Sequence, residues 1–551
     1  MIKKLFVVFF ILMSLSIISV YVLVAHTNLF AQPTYTVSNN IKLIIDGEEI
    51  KYGVDPVKEN GSLYIGIDVL KKNLNLDIIW DNKDKTIVYY DGEKVIRLYG
   101  NTSTIKINDG EVENSDLLLV KNGQPLINIK LIDKYANYQT TFVDLTNILV
   151  IDKDGTIMRT AQSIEKSRLR GKESIWSEVK DIVNENEKVY VYHEDDNWTL
   201  IRTSRGFFGY IENKNIKLNK KIVYKKKGKD NIRKPQNKIN LTWEYVYNIT
   251  PSVDKLEKVD GLDVISPTWF NIKNTSGDIR DKGSKEYIEW AHNNGYEIWG
   301  LFSNDFDPDL TNTILNSAKL REQVIKNILE LALKYNLEGI NLDFENVYLK
   351  DKDMLTQFVK ELSPIARENN LILSMDITIK SLSPNWSLCY DREKLGKLVD
   401  YLILMAYDEH WANGGISGSV ASLPWVEYGI ETLLDEVPSE KVILGVPFYT
   451  RVWKEQQVDG EVKVTSAAVT MNRSFELIDK YNGDIVWDDI TRQYYSEYNV
   501  GNTLNRIWLE DESSIKGRID LIEKYDLSGV ASWRRGYEKE TIWEVINENL
   551  K

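Results

Sequence analysis

The C-terminal part of this 551-residue chain reads as an α/β protein, a (β/α)8 or TIM barrel, and three observations predict it. From Ile239 onward, eight short runs rich in β-branched and aromatic residues alternate with stretches of helical texture, the number that closes a parallel barrel. The stretch Glu338-Gly339-Ile340-Asn341-Leu342-Asp343-Phe344-Glu345 alternates polar and apolar residues. In an extended strand this puts Asn341, Asp343 and Glu345 on one face and Ile340, Leu342 and Phe344 on the other. Apolar residues at helical spacing bracket that strand: Leu320, Val324, Ile328 and Leu331 before it, Leu355, Phe358, Val359 and Leu362 after it.

In chain order, the predicted barrel strands are 239–245, 262–266, 297–302, 339–344, 371–377, 401–406, 442–446 and 529–532, within a region spanning 238–551. The gap from Pro447 to about Ser514 is too long for one loop, so a small α+β insertion after the seventh strand is expected at about 448–513. Upstream, Lys3 and Lys4 precede an apolar run from Leu5 to Ala25, which predicts a membrane anchor or signal segment over 1–32, with cleavage arguable near Ala31. The basic flank on the N-terminal side then puts the remainder outside the cytoplasm, either membrane-anchored or secreted.

Two small β-rich domains are expected between anchor and barrel. Over 36–155 a pattern repeats: 61–65, a helical stretch at 69–76 and a hairpin at 78–90, then 123–127, 131–138 and a hairpin at 140–151. This duplicated unit resembles the N-terminal domain of copper amine oxidases, a non-catalytic module; no histidine lies between His26 and His193, so the likeness implies no copper. Over 158–220, Val189-Tyr190-Val191-Tyr192, an aromatic strand from Trp198 and Gly206-Phe207-Phe208-Gly209-Tyr210 resemble a bacterial SH3-type barrel. There Trp198 is expected to fill the core, and Tyr210 could contact a ligand. The basic stretch 221–237 reads as a solvated linker.

Composition narrows the function. A net charge of -13 argues against nucleic acid as partner. The single Cys389 excludes an internal disulfide, and four scattered histidines (His26, His193, His292, His410) lack zinc-ligand spacing, so no metal or other cofactor is expected. What remains is the acidic strand. Two neighbouring carboxyls on the inward face of a buried strand suffer desolvation and mutual repulsion, which raises one of them into the range a general acid needs.

Four segments then carry a resemblance to glycoside hydrolase family 18. Glu338–Glu345 is similar to its D-G-x-D-x-D-x-E motif, Met405-Ala406-Tyr407-Asp408 to its M-x-Y-D, Gly445-Val446-Pro447-Phe448-Tyr449-Thr450-Arg451 to its G-x-P-x-Y-x-R, and Ser532-Trp533 to its strand-eight tryptophan. Further strings, Ser266-Pro267-Thr268-Trp269-Phe270, Trp386-Ser387, Cys389-Tyr390-Asp391-Arg392, Tyr407-Asp408-Glu409-His410-Trp411 and Gly418-Ser419-Val420-Ala421-Ser422, resemble its spore-germination and cortex-lytic branch. The resemblance implies substrate-assisted hydrolysis of a β-1,4 bond beside an N-acetylated sugar, outside the usual two-carboxylate scheme. Glu345 would be the general acid and base. Asp343 would orient the acetamido group, and Tyr407 would bond its oxygen. Asn341, Asp408, Trp533, Arg451, Tyr449 and Met405 would line the substrate site, with Trp533 as its floor.

Two positions depart from the family pattern. Glu338 replaces the first Asp but lies on the opposite strand face, which makes it structural. Asn341 replaces the middle Asp; an amide can bond Asp343 but cannot share its proton, so Asp343 is expected to titrate lower and more simply than in a three-carboxylate site. The expected substrate is peptidoglycan, with spore cortex as its setting, or another N-acetylglucosamine-containing glycan. The alternatives are a chitinase and an inactive glycan-binding protein.

Overall fold

The computed structural model describes residues 2–30, 33, 40–51, 53–100, 102, 104–113, 117–136, 138–153, 158–222 and 238–550. They form two compact units.

The first unit contains most of the N-terminal part of the chain. Ile2–Phe30 is helical, with exposed apolar side chains along 6–22. Among the described residues no helix is long and apolar enough to cross a membrane, so the anchor expected over 1–32 is not supported. The repeat is visible. Ser62–Gly66 leads into helix Ile67–Leu74, and Gln124–Asn128 leads into helix Ile129–Tyr135. The two leading strands pair antiparallel, Ile65 opposite Ile127, so the copies share one sheet.

Residues Met158–Ile222 form a seven-stranded antiparallel sheet around Ala161, Leu169, Val183, Val189, Val191, Ile201, Ile211 and Ile216. Trp198 and Tyr210 are half-buried rather than part of this aliphatic core, so Trp198 does not take the core-filling place expected of it. Residues 223–237, nearly all of the expected basic linker, lie outside the described residues.

The second unit is the barrel. Its strands are β1 (Ile239–Glu244), β2 (Val264–Pro267), β3 (Glu297–Ser303), β4 (Gly339–Asp343), β5 (Ile372–Thr378), β6 (Tyr401–Met405), β7 (Val442–Pro447) and β8 (Gly529–Trp533). Each pairs in parallel with its neighbours, and β8 returns to β1, which closes the ring. Alternation does the sorting. Leu241, Trp243, Trp299, Leu301, Tyr401, Ile403 and Ile443 fill the inside, with Trp299 stacked on Tyr401 at 5.8 Å between ring centroids. Ile340, Leu342 and Phe344 face outward into the layer under the helices. Gly339 sits where a Cβ would come within 2.7 Å of the Trp299 indole, so the base of β4 has room for no side chain.

The helices before and after β4 are α1 (Ala318–Lys334) and α2 (Lys352–Glu368). Leu355, Phe358, Val359 and Leu362 are all buried; Val324 and Ile328 are buried as well, with Leu320 and Leu331 packed at the edge. Between β1 and β2 the described chain makes a single 3-10 turn, Val253–Lys255, in place of a crossover helix. The insertion after β7 is a five-stranded antiparallel sheet with helix Met471–Lys480 and a small core of Val452, Ile478, Tyr498, Ile507 and Leu509. Residues 81–97 and 106–111 also belong to this second unit. There Arg97 reaches a buried ionic cluster with Glu361 of α2 and Arg321 of α1.

Candidate active site

The acidic strand delivers its residues to the barrel mouth in layers. Asn341 and Asp343 point inward along β4 and are buried, and Glu345 follows just beyond the strand end, half-buried. Glu338, at the opposite end of β4, accepts the backbone N–H of Ile298 at 2.9 Å and lies 3.3 Å from His292, which fits its structural reading.

Glu345 is held by its backbone. Its N–H donates to Asn304 Oδ1 at 3.0 Å and its carbonyl accepts from Asn304 Nδ2 at 2.7 Å, so the fully buried amide at the end of β3 grips both sides of the residue. One residue earlier, the Phe344 carbonyl accepts from the Tyr390 hydroxyl at 2.9 Å. Tyr390 belongs to Cys389-Tyr390-Asp391-Arg392, and buried Arg392 donates to the carbonyls of Ser387 and Thr378 at 3.1 and 2.9 Å. That string therefore braces the loop behind Glu345. In the same way Glu409 accepts from the backbone and hydroxyl of Ser422 at 2.7 and 3.1 Å, and His410 meets the Ser419 carbonyl at 2.8 Å, so two other recognised strings pin each other.

Tyr407 follows β6, half-buried, edge-on to Trp243 at 6.4 Å and to Tyr449 at 6.4 Å. Burial and the surrounding carboxyls hold its phenol well above the usual range, so it remains a neutral donor. Asp408, in the left-handed region at φ 60°, accepts from the Tyr449 hydroxyl at 2.5 Å and lies 3.4 Å from Arg451 Nη2. Arg451 is thus tied up with Asp408. Met405 ends β6 and is buried. Trp533 ends β8, half-buried, packing edge-on against Trp243 at 5.9 Å and Tyr245 at 6.2 Å.

Asn341 does not do what the sequence suggested. Its Oδ1 accepts from Trp243 Nε1 at 3.0 Å and from the Ser266 hydroxyl at 3.1 Å. Its Nδ2 donates to the Ser374 hydroxyl at 3.2 Å and to Asp376 Oδ1 at 2.8 Å. No donor is left for Asp343, whose Oδ1 is buried with no hydrogen-bond partner. The expectation of an Asp343 titration lower and simpler than in a three-carboxylate site is therefore corrected. Burial raises Asp343 to about 7, and burial together with the charges of Asp343 and Asp408 pushes Glu345 well above the carboxylate range.

The sequence reading passed over a third carboxyl, Asp376. It is almost fully buried, and burial with the charge of Asp343 raises it well above its usual value. A signal existed in Leu373-Ser374-Met375-Asp376, where polar residues alternate within an apolar run as they do in the acidic strand. Asn304 offered less: a lone amide after Ser303 looks like any loop start. Among the described residues no cluster of His, Cys, Asp and Glu is arranged to hold a metal ion.

Comparison with known proteins identifies two family matches along the chain. Residues 268–538 match Glycosyl hydrolases family 18, and residues 44–151 match the Copper amine oxidase N-terminal domain. Neither match reaches residues 158–220, where the SH3 likeness stays unsupported. An uncharacterized glycosylase of Bacillus subtilis (strain 168), YvbX, is 26% identical over 324 residues, covering 56% of this chain and 92% of that protein. The cortical fragment-lytic enzyme of the same organism is 25% identical over 258 residues, 46% of this chain and 59% of its own length. The crystal structure of the Bacillus megaterium QM B1551 spore cortex-lytic enzyme SleL superposes with a TM-score of 0.52 at 23% identity, covering 57% of this chain and 76% of that one. A chitinase from Chromobacterium violaceum ATCC 12472 superposes with a TM-score of 0.50 at 20% identity, covering 57% and 99%. At these identities the two structures establish a shared fold.

Proposed function

The barrel of this chain belongs to Glycosyl hydrolases family 18, and from that premise we propose that the protein is an exported glycosidase that cuts β-1,4 bonds beside N-acetylglucosamine in peptidoglycan, with spore cortex as its setting. The observation that carries the proposal is the meeting of Asp343, Glu345 and Tyr407 at one barrel mouth, where Asp343 bears on the titration of Glu345 and both carboxyls bear on that of Tyr407. Glu345, protonated at neutral pH, gives its proton to the glycosidic oxygen as the C1–O bond breaks. The acetamido oxygen of the substrate closes on C1 and forms an oxazolinium ion. Glu345, now ionised, takes a proton from the water that opens that ring and returns to its starting state. Asp343 accepts the acetamido N–H and faces the developing positive charge, and Tyr407 donates to the acetamido oxygen. Trp533 presents a ring face to the sugar.

Peptidoglycan is favoured over chitin because relatives named for cortex fragments and spore cortex stand among those that match the barrel. The apolar run from Leu5 to Ala25 behind two lysines supports export.

The test offers the purified chain peptidoglycan, cortex fragments and chitin oligomers, and reads new reducing ends. Release of N-acetylglucosamine ends from wall material at a kcat/KM above that on chitin oligomers is expected. The reverse preference would make it a chitinase; binding to all three with turnover of none would make it a glycan-binding protein.

The pH profile follows from the same roles. With Asp343 needed as the anion and raised to about 7, kcat/KM is expected to climb with pH through about 7 and to fall again at higher pH as Glu345 loses its proton. An acidic limb in the ordinary carboxylate range, near pH ~4, would remove Asp343 from this role.

A further inference from the structure

The reaction above leaves one buried carboxyl at the mouth without a task, and the bonding of Asn341 supplies one. A side-chain amide has two N–H donors. Those of Asn341 go to Ser374 and Asp376, while its oxygen is taken by Trp243 of β1 and Ser266 of β2. The amide is locked across the barrel and cannot turn to Asp343, the next inward residue of its own strand. Asp343 is left with a buried oxygen that nothing in the described structure bonds.

The groups facing Asp376 are Asp343 and Glu345 from β4, Tyr407 after β6, the indole N–H of Trp243 and the amide of Asn341. The charges bearing on the three carboxyls come from one another and from Asp408, all negative. Three such carboxyls in one water-poor mouth do not all ionise together.

We propose that Asp376 is a positioning residue for the acid pair: held at 2.8 Å by Asn341, it is the carboxyl that keeps its proton, and its neutrality is what allows Asp343 to be an anion beside it. The proposal rests on the roles given above to Asp343 and Glu345. An acid at position 341 would have been Asp343's neighbour on the same strand. Here the proton-holding group stands on β5, and Asn341 is the link that fixes it. The direction in which burial and the charge of Asp343 move Asp376 agrees with this. A carboxylic acid kept neutral by an apolar site is a known device for presenting a hydrogen bond without a charge.

Two variants and one titration test it. Asp376→Asn is a permanent neutral mimic that can still accept from Asn341. It is expected to keep kcat/KM within about threefold near neutral pH and to leave the Asp343 midpoint, read by carboxyl-carbon NMR, within about 0.3 of the wild-type value. At pH 7 it should also lose one protonated-carboxyl band in the infrared spectrum. Asp376→Leu deprives Asn341 of its acceptor, and kcat is expected to fall at least tenfold with KM little changed, a loss that Asp376→Asn does not share.

The proposal is overturned if Asp376→Asn lowers the Asp343 midpoint by about one unit or more, since Asp376 was then charged. It is overturned equally if Asp376→Asn loses no protonated-carboxyl band at pH 7, or if Asp376→Asn falls with Asp376→Leu. The two spectroscopic readouts need no substrate, so failure of the glycosidase reading leaves them standing and separable.

Discussion

Glu345→Gln is expected to lower kcat on every substrate the wild type cleaves by a factor of about 10²–10⁴, with KM nearly unchanged. One carboxyl is asked to act twice, as the acid that releases the leaving group and as the base that activates water, and an amide can do neither. The substitution is close to isosteric, and the grip on this residue uses its backbone, through the two hydrogen bonds of Asn304, so the fold has no reason to change. A glycan can still enter a site whose shape is kept. Retention of wild-type kcat by a folded Glu345→Gln protein would remove Glu345 from the chemistry.

Stability gives the same variant a second readout. The carboxyl of Glu345 is raised in the folded state, chiefly by burial and then by the charges of Asp343 and Asp408. A group raised on folding contributes stability that is complete below its unfolded value of about 4.3 and is lost as pH climbs through the folded value. Glutamine has no proton to lose. The melting temperature of Glu345→Gln relative to wild type is therefore expected to rise from pH 5 to pH 9. A difference that stays flat with pH would mean that the carboxyl is not raised.

Some of this was written in the chain and some could not be. The faces of β4 and its flanking helices were legible because alternation and helical spacing are local properties, and Leu355, Phe358, Val359 and Leu362 are buried as their spacing required. The insertion was legible from length alone. Asp376 and Asn341 were not legible as a pair, because Asn341 stands opposite Ser374 only through the register of β4 on β5, and no local pattern encodes a register. The same holds for Asn304, whose value comes from lying beside Glu345. Asn341 shows the limit best. From the sequence its nearest polar neighbour is Asp343, two residues on, yet the barrel gives it four partners on three other strands and none on its own.

The same blindness to long-range neighbours hides the largest stability effect expected in the barrel unit. Arg97 lies far upstream in sequence, but its Nη2 sits 3.0 Å from Glu361 Oε2, while Arg321 Nε sits 2.9 Å from Oε1 and Gln357 donates to that oxygen at 2.9 Å. Both arginines and the glutamate are at most 1% exposed. Glu361→Ala leaves two buried guanidinium groups facing a hole, and breaking a buried ion pair by removing one partner costs roughly 3–5 kcal/mol. For a large domain, at roughly 2 °C per kcal/mol, the transition of the barrel unit is expected to fall by roughly 6–10 °C. The cluster is nevertheless imperfect: Arg97 Nε and Arg321 Nη2 are buried without hydrogen-bond partners. Desolvation has thus been incurred for donors that gain nothing in return, and replacing all three ions together by packed apolar side chains, as in Arg97→Met, Arg321→Met and Glu361→Leu combined, is expected to be close to neutral or stabilising. Chemical denaturation of the single and triple variants decides it. A triple variant clearly less stable than wild type would mean that the ions contribute net stability, and a Glu361→Ala protein as stable as wild type would mean that water reaches the cluster.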